Sequence, residues 1–285
     1  MNQIKNLISI GMPIRNGINF INEALDSIQN QTVKNLEIII SDNQSDDGTS
    51  DYLKVLAKKD KRIKYYLQEK KISVFENFKF VLSKANGNYF MWAAHDDTRS
   101  KNYIEILKKG LEKNPDSILA FGDVYRTSIG DKIGSKIDFD FDTTNQNKFL
   151  RLKKLSFIQC FYLYGLWRTD VIKNVPYDIC TWWPDLPMML SAACKGYFIY
   201  VPGTRFNYLE INKSSLERIK YQEYKDQFNL LGGVLYLLKS CFTSCKKSGG
   251  VLIGCYVFFL VLSKQFINFP IYILNRFKNR TVNND

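Results

Sequence analysis

From Asn6 to Tyr125 the chain alternates between short apolar runs and amphipathic stretches. "NLISIGM" (6–12), "NLEIIIS" (35–41), "RIKYYLQ" (62–68), "GNYFMWAA" (87–94) and "SILAFGDVY" (117–125) read as strands. Between them, "NFINEALDSIQNQ" (19–31), "TSDYLKVLAKK" (49–59), "SVFENFKFVLSKAN" (73–86) and "NYIEILKKGLEKN" (102–114) read as helices. Their apolar residues recur at steps of three and four, the period of a helix with one buried face. Strands that are apolar along their length need cover on both faces, and the intervening helices provide it. The pattern therefore predicts an α/β fold, a mostly parallel sheet flanked by helices. In such sheets a ligand sits beyond the carboxyl ends of the strands.

The residues just past those ends are Pro13-Ile14-Arg15-Asn16, Asp42-Asn43 and His95-Asp96-Asp97. Asp42, Asp96 and Asp97 thus converge from different strands on one rim. Adjacent carboxylates repel each other, so Asp96 and Asp97 need open water or a cation. The glycine-rich phosphate loops GxGxxG and GxxxxGK[ST] are both absent. A phosphate-bearing ligand would then be neutralised by a divalent metal held on carboxylates. His95, the single histidine, reads as a polar residue at a strand end. Asp46 and Asp47 read as turn and cap residues, and Asp42 also suits an Asx turn.

Six cysteines lie scattered with no CxxC pair, which argues against zinc and for buried thiols in a reducing compartment. The apolar stretch in "MNQIKNLISIGMP" is too short for a secretory signal, which points to a cytoplasmic protein. Asp138, Asp140 and Asp142 alternate without the glycine and closing glutamate of a calcium loop, and read as a solvated strand face. "WWPDLPMMLSAAC" sets Asp185 between a tryptophan pair and an apolar helix, where packing alone does not call for an acid. Trp182 and Trp183 suit either a sugar-binding floor or the core.

The net charge is +12, and from Lys213 onward eleven Lys and Arg face four Asp and Glu. Two apolar helical segments share this region, and their longest uncharged apolar run, 249–262, is 14 residues. About 20 residues are needed to span a bilayer, so the segment favours an interfacial helix on an anionic membrane surface. The alternative is packing against the rest of the chain or against a second subunit in a homo-oligomer. Basic charge on aliphatic helices, with no groove-reading motif, excludes nucleic acid as the partner.

Taken in order, "ISIGMPIRNG", "NEALDSIQNQT", "LEIIISDNQSDDGTSD", "ANGNYFMWAAHDD" and "WWPDLPMMLSAACKGYFIYVP" resemble the family-2 inverting glycosyltransferases of the GT-A fold. The resemblance covers residues 6–212. It implies a 1–212 transferase domain, with a nucleotide-binding half (1–97) and an acceptor half (98–212), followed by a helical basic tail (213–285). It implies a nucleotide-sugar donor, Mn²⁺ or Mg²⁺, and a glycan or lipid-linked acceptor at the inner face of a bacterial membrane. The family's pattern maps nucleobase binding to Asp42, the metal to Asp97 and Asp96, and the general base to Asp185. Pro13, Arg15 and Asn16 fall along the nucleotide. His95 stands where the metal motif often begins with aspartate, which leaves the ion to Asp97 and turns Asp96 toward the ribose. Pro184 replaces a frequent glutamate, and "FNYLEINKSS" lacks the histidine many members carry. The alternatives are a sugar nucleotidyltransferase, whose glycine- and arginine-rich first loop "PIRNG" matches poorly, and a catalytically silent nucleotide-binding scaffold.

Overall fold

The computed structural model describes residues 4–131, 133–138, 142–156, 160–176, 185–211 and 230–263. The expected alternation is present as β1 (Ile4–Ile14), α1 (Ile21–Gln29), β2 (Leu36–Asp42), α2 (Thr49–Lys59), β3 (Ile63–Leu67), α3 (Val74–Ser83) and β4 (Gly87–Trp92). There follow β5 (Thr98–Arg99), α4 (Tyr103–Lys113), β6 (Ser117–Phe121), β7 (Val124–Thr127) and β8 (Ser135–Ile137). The chain continues through α5 (Lys148–Leu155), β9 (Leu166–Arg168), α6 (Thr169–Lys173), α7 (Asp185–Ala193), β10 (Tyr197–Tyr200), β11 (Phe206–Leu209) and α8 (Leu230–Gly249).

Local chemistry sets these elements. In α1, Ile21, Ala24, Leu25 and Ile28 fall on one face and are buried. The α3 helix starts at a capping box, in which Ser73 Oγ accepts from the Glu76 amide and Glu76 returns the bond to the Ser73 amide. Every residue of β2 is buried, as expected of a strand covered on both faces. Its one interior charge, Glu37, accepts hydrogen bonds from Ser9 Oγ and the Asn86 amide and pairs with Lys64 at 2.5 Å.

The main sheet has seven strands in the order β10-β6-β9-β4-β1-β2-β3. Pairings are parallel except at β9, which is antiparallel to both β4 and β6. A second sheet runs β5-β11-β7-β8. The segment 117–125, which the sequence suggests is one strand, breaks at Gly122 into β6 and β7, one in each sheet. The chain is tightly packed at the break. A Cβ on Gly122 would lie 1.6 Å from Thr204 Oγ1, so only glycine lets the chain pass.

The chain forms two compact units. The first comprises Met1–Asn145, Phe161–Asn174 and Gly196–Lys213, and holds both sheets. The second comprises Gln146–Cys160, Val175–Lys195 and the described part of Ser214–Asp285. This division differs from a single break near residue 212, for a reason visible in α7. All its residues from Leu186 to Ala193 are buried, so the helix needs cover all round, and α5 and α8 pack against it. Ser191 Oγ lies 2.6 Å from Ser248 Oγ across the α7–α8 contact. Gly250, with φ of 92°, ends α8 in the left-handed conformation, and a further helix runs over 251–263. That helix buries Ile253, Val257 and Val261 and exposes Val251, Leu252 and Phe259. Among the described residues, no helix is long and apolar enough to cross a membrane.

Candidate functional site

In the first unit β1 lies between β2 and β4, with Ile14 opposite Asp42 and Gly11 opposite Trp92. The loops carrying Pro13, Arg15, Asn16, Asp42, Asp96 and Asp97 therefore leave the sheet along one rim. Pro13 is buried at the end of β1, and Arg15 is exposed. Asn16 takes the left-handed conformation, φ 54°, which asparagine tolerates better than most residues. It ties the first loop to the second. Its amide donates to Ser45 Oγ at 2.9 Å, and its side chain donates to Asp46 Oδ1 while accepting from the Asp46 amide. Asp47 accepts from the Thr49 amide and hydroxyl at the start of α2, and from the Ile18 amide. Asp46 thus links the two loops and Asp47 closes the turn before α2, whose N-cap position is Gly48 with no side-chain cap.

Asp42 is fully buried. Its Oδ1 accepts from the Ser45 amide at 2.9 Å and from Ser45 Oγ at 2.7 Å. Its Oδ2 accepts from Ser50 Oγ and from the Tyr65 hydroxyl at 2.9 Å. Both oxygens are engaged within the protein, so a nucleobase bonding here would have to displace one of these donors. The two bonds from Ser45 belong to the turn the sequence suggests, and Ser50 reaches back from the first turn of α2. Tyr65 comes from β3, and no local pattern marks it.

Asp97 is 1% exposed and its two oxygens differ. Oδ1 accepts from the Leu209 amide at 3.0 Å. Oδ2 is buried and, among the described residues, accepts no hydrogen bond. Burial first, and the neighbouring Asp96 second, push this carboxyl up to about 7, against the pull of Arg99. Arg99 is itself buried, donating to the Trp92 carbonyl at 3.2 Å and standing 4.9 Å from the Phe206 ring centre. Half-buried Asp96 opens onto a cavity of about 400 Å³ that also presents Glu23 and Asp131 and, among the described residues, no lysine or arginine. An anionic ligand entering such a lining needs a counter-cation. An oxygen with no donor is what a metal ligand requires, so Asp97 fits that role, with Asp96 beside it. No group of three or more metal-ligating side chains occurs among the described residues, so a ligand would have to supply much of the coordination.

His95 packs over the first loop, since a Cβ on Gly17 would meet its ring at 2.5 Å. Asp185 is the first residue of α7, half-buried, in the second unit. Trp182, Trp183 and Pro184 lie outside the described residues. Asp142 caps a turn, accepting from the Thr144 and Tyr200 amides, and Asp140 is outside the described residues.

The mainly parallel seven-stranded sheet with a small second sheet beside it is the arrangement of the GT-A fold. The structure is similar to S. aureus TarS 1–349 in complex with UDP, with a TM-score of 0.64 and 13% identity over 91% of this chain and 72% of that one. It is also similar to the mannosyltransferase PcManGT from Pyrobaculum calidifontis in complex with GDP-Man and Mn²⁺, with a TM-score of 0.57 and 13% identity over 96% and 79%. At such identities these likenesses show the fold. Residues 9–168 match the model of glycosyl transferase family 2, and the chain belongs to that family. An uncharacterized glycosyltransferase of Haemophilus influenzae is 35% identical over 116 residues, 41% of this chain and 36% of the relative. The glycosyltransferase GlyA of Streptococcus pneumoniae is 34% identical over 120 residues, 41% of this chain and 17% of the relative. The matches thus span about a third or less of these relatives' lengths.

Proposed function

We propose that the protein is an inverting glycosyltransferase. It moves a sugar from a nucleotide-diphospho-sugar, with UDP-sugars favoured, to a glycan or lipid-linked acceptor in cell-surface polysaccharide biosynthesis. The observation that carries the reading is the buried, donor-free Oδ2 of Asp97 beside Asp96 at the carboxyl end of β4. Asp97 would hold Mn²⁺ or Mg²⁺, with Asp96 shared between the ion and the ribose. A divalent ion bound there would supply positive charge opposite the departing diphosphate. Pro13, Arg15, Asn16 and Asp42 line the nucleotide, and Asp42 serves the base by exchanging one of its present donors. Asp185 takes the proton of the acceptor hydroxyl as that oxygen attacks the anomeric carbon. One base and no carboxylate nucleophile give a single displacement with inversion. Calorimetric titration of UDP should show tight binding with Mn²⁺ and a large loss with chelator. Equal affinity in both would remove the ion from this reading.

We place the protein on the inner face of the cell membrane, held peripherally by its C-terminal helices. Support comes from Val251, Leu252 and Phe259, exposed on a helix whose approach carries Lys246 and Lys247. Leu252→Asp with Phe259→Asp should release the protein from anionic vesicles, and raised salt should weaken the wild type. Equal sedimentation of both proteins with vesicles would assign this face to contact with a second copy.

A further inference from the structure

The rim extends past the acidic loops. Since β9 is antiparallel to both β4 and β6, the latter two run the same way, and β10 runs parallel to β6. The carboxyl ends of β6 and β10 therefore lie on the rim that carries Asp96 and Asp97. From β4 to β6 is two strand spacings, roughly 10 Å. Beyond β6 a second cavity of about 380 Å³ opens, with Asp123, Lys136, Asp138 and Tyr200 on its lining.

The side chains there are arranged rather than scattered. Asp123, 8% exposed, accepts from Lys136 Nζ and from the Tyr200 hydroxyl, each at 2.5 Å, and from the Gly203 amide at 3.2 Å. Donors from β8, from β10 and from the turn after β10 thus converge on one carboxylate in the β6–β7 connection. The Lys136 ammonium has three N–H groups and its side chain is 44% exposed, so it has donors left to offer outward. Asp138 adds an exposed acceptor, and Val124 and Ile137 add apolar surface.

This lining selects by charge. One lysine faces two aspartates, so a phosphate gains no net attraction. The ammonium on Asp123 equally excludes a metal ion from that carboxylate. What suits donors, acceptors, an aromatic ring and small apolar patches together is a neutral ligand rich in hydroxyls with apolar ring faces. We propose that this cavity is a carbohydrate subsite. Lys136, Tyr200 and Asp123 hold a sugar ring of the acceptor glycan some distance from the ring that receives the transferred sugar. The proposal rests on the glycosyltransferase reading and adds to it that the acceptor is longer than one sugar.

The test uses the full chain on an array of immobilised short oligosaccharides and their component monosaccharides. In parallel, Mn²⁺-dependent UDP affinity is measured for the wild type, Lys136→Gln and Tyr200→Phe. The wild type should bind at least one oligosaccharide about tenfold more tightly than its monosaccharides, and each variant should lose about that factor. UDP affinity and melting temperature should be the same in all three proteins. Asp123 is left intact because it also holds the Gly203 turn. Oligosaccharide binding unaffected by both substitutions, or no oligosaccharide preferred at all, would overturn the subsite while UDP binding stands. Failure of the wild type to bind UDP with Mn²⁺ would instead overturn the glycosyltransferase reading, and the subsite with it.

Discussion

Asp185→Asn should lower sugar transfer by about 10²–10⁴-fold while donor affinity and melting temperature stay near wild type. The residue opens α7, where a side-chain oxygen can serve the first turn of the helix. Asparagine keeps the shape of aspartate and loses only its charge in the first turn of the helix, so the cost to the fold should be small. What asparagine lacks is a basic oxygen to take the acceptor's proton as it attacks. That proton is in play only on the way to the transition state, so binding of the donor should hardly register the change. Turnover and UDP calorimetry on one preparation separate the two quantities. A rate close to wild type would mean that another carboxylate does this work and that Asp185 only starts a helix.

Asp97→Asn should abolish the Mn²⁺ dependence of UDP binding and, in the metal-free protein, leave stability unharmed. The asparagine Oδ1 can still accept the Leu209 amide, but the neutral side chain is a poor ligand for a hard cation. A pH series gives an independent reading. The wild-type carboxyl is raised to about 7 in the folded protein from an ordinary value of 3.8. The folded state therefore holds this proton more tightly than the unfolded one. Its contribution to stability is fully present below about 4, declines as pH rises toward 7, and is absent above. A shift of that size corresponds to something on the order of 4 kcal/mol. The metal-free variant should thus melt above wild type at pH 8, with the gap closing as pH falls toward 4. If Mn²⁺ raises the melting temperature of both proteins alike, Asp97 does not hold the ion.

The part of the main sheet made by β1, β2, β3 and β4 was legible because β1, β2 and β4 are apolar runs and each return helix shows its own period. The rim loops followed directly, since the residue after a strand is fixed once the strand is. Contacts made across the fold were not legible. Tyr65 reaches Asp42 from a neighbouring strand, and the amide that holds Asp97 belongs to Leu209, 112 residues later. No local spacing announces either. Gly122 was the only mark of the break between β6 and β7, inside a run that otherwise reads as continuous. The extent of the second unit was hidden for a different reason. A helix buried on every side has no periodic face, so nothing in "LPMMLSAA" says which distant segments cover it.

The late, reversed strand β9 has a consequence for how the chain emerges from the ribosome. β1, β2, β3 and β4 can pair with one another as soon as residue 92 is free, since all their mutual partners lie upstream. β6 cannot join them. Its two neighbours, β9 and β10, begin at Leu166 and Tyr197, so for at least the 44 residues between its own end and Leu166 it has no strand to pair with. Throughout that interval the outer flank of β4 is also bare. Two open strand borders on one nascent chain invite pairing with a neighbouring polypeptide. Fragments ending short of Leu166 should consequently precipitate on expression, and any trimming of the gene belongs beyond β11, whose Leu209 amide holds Asp97.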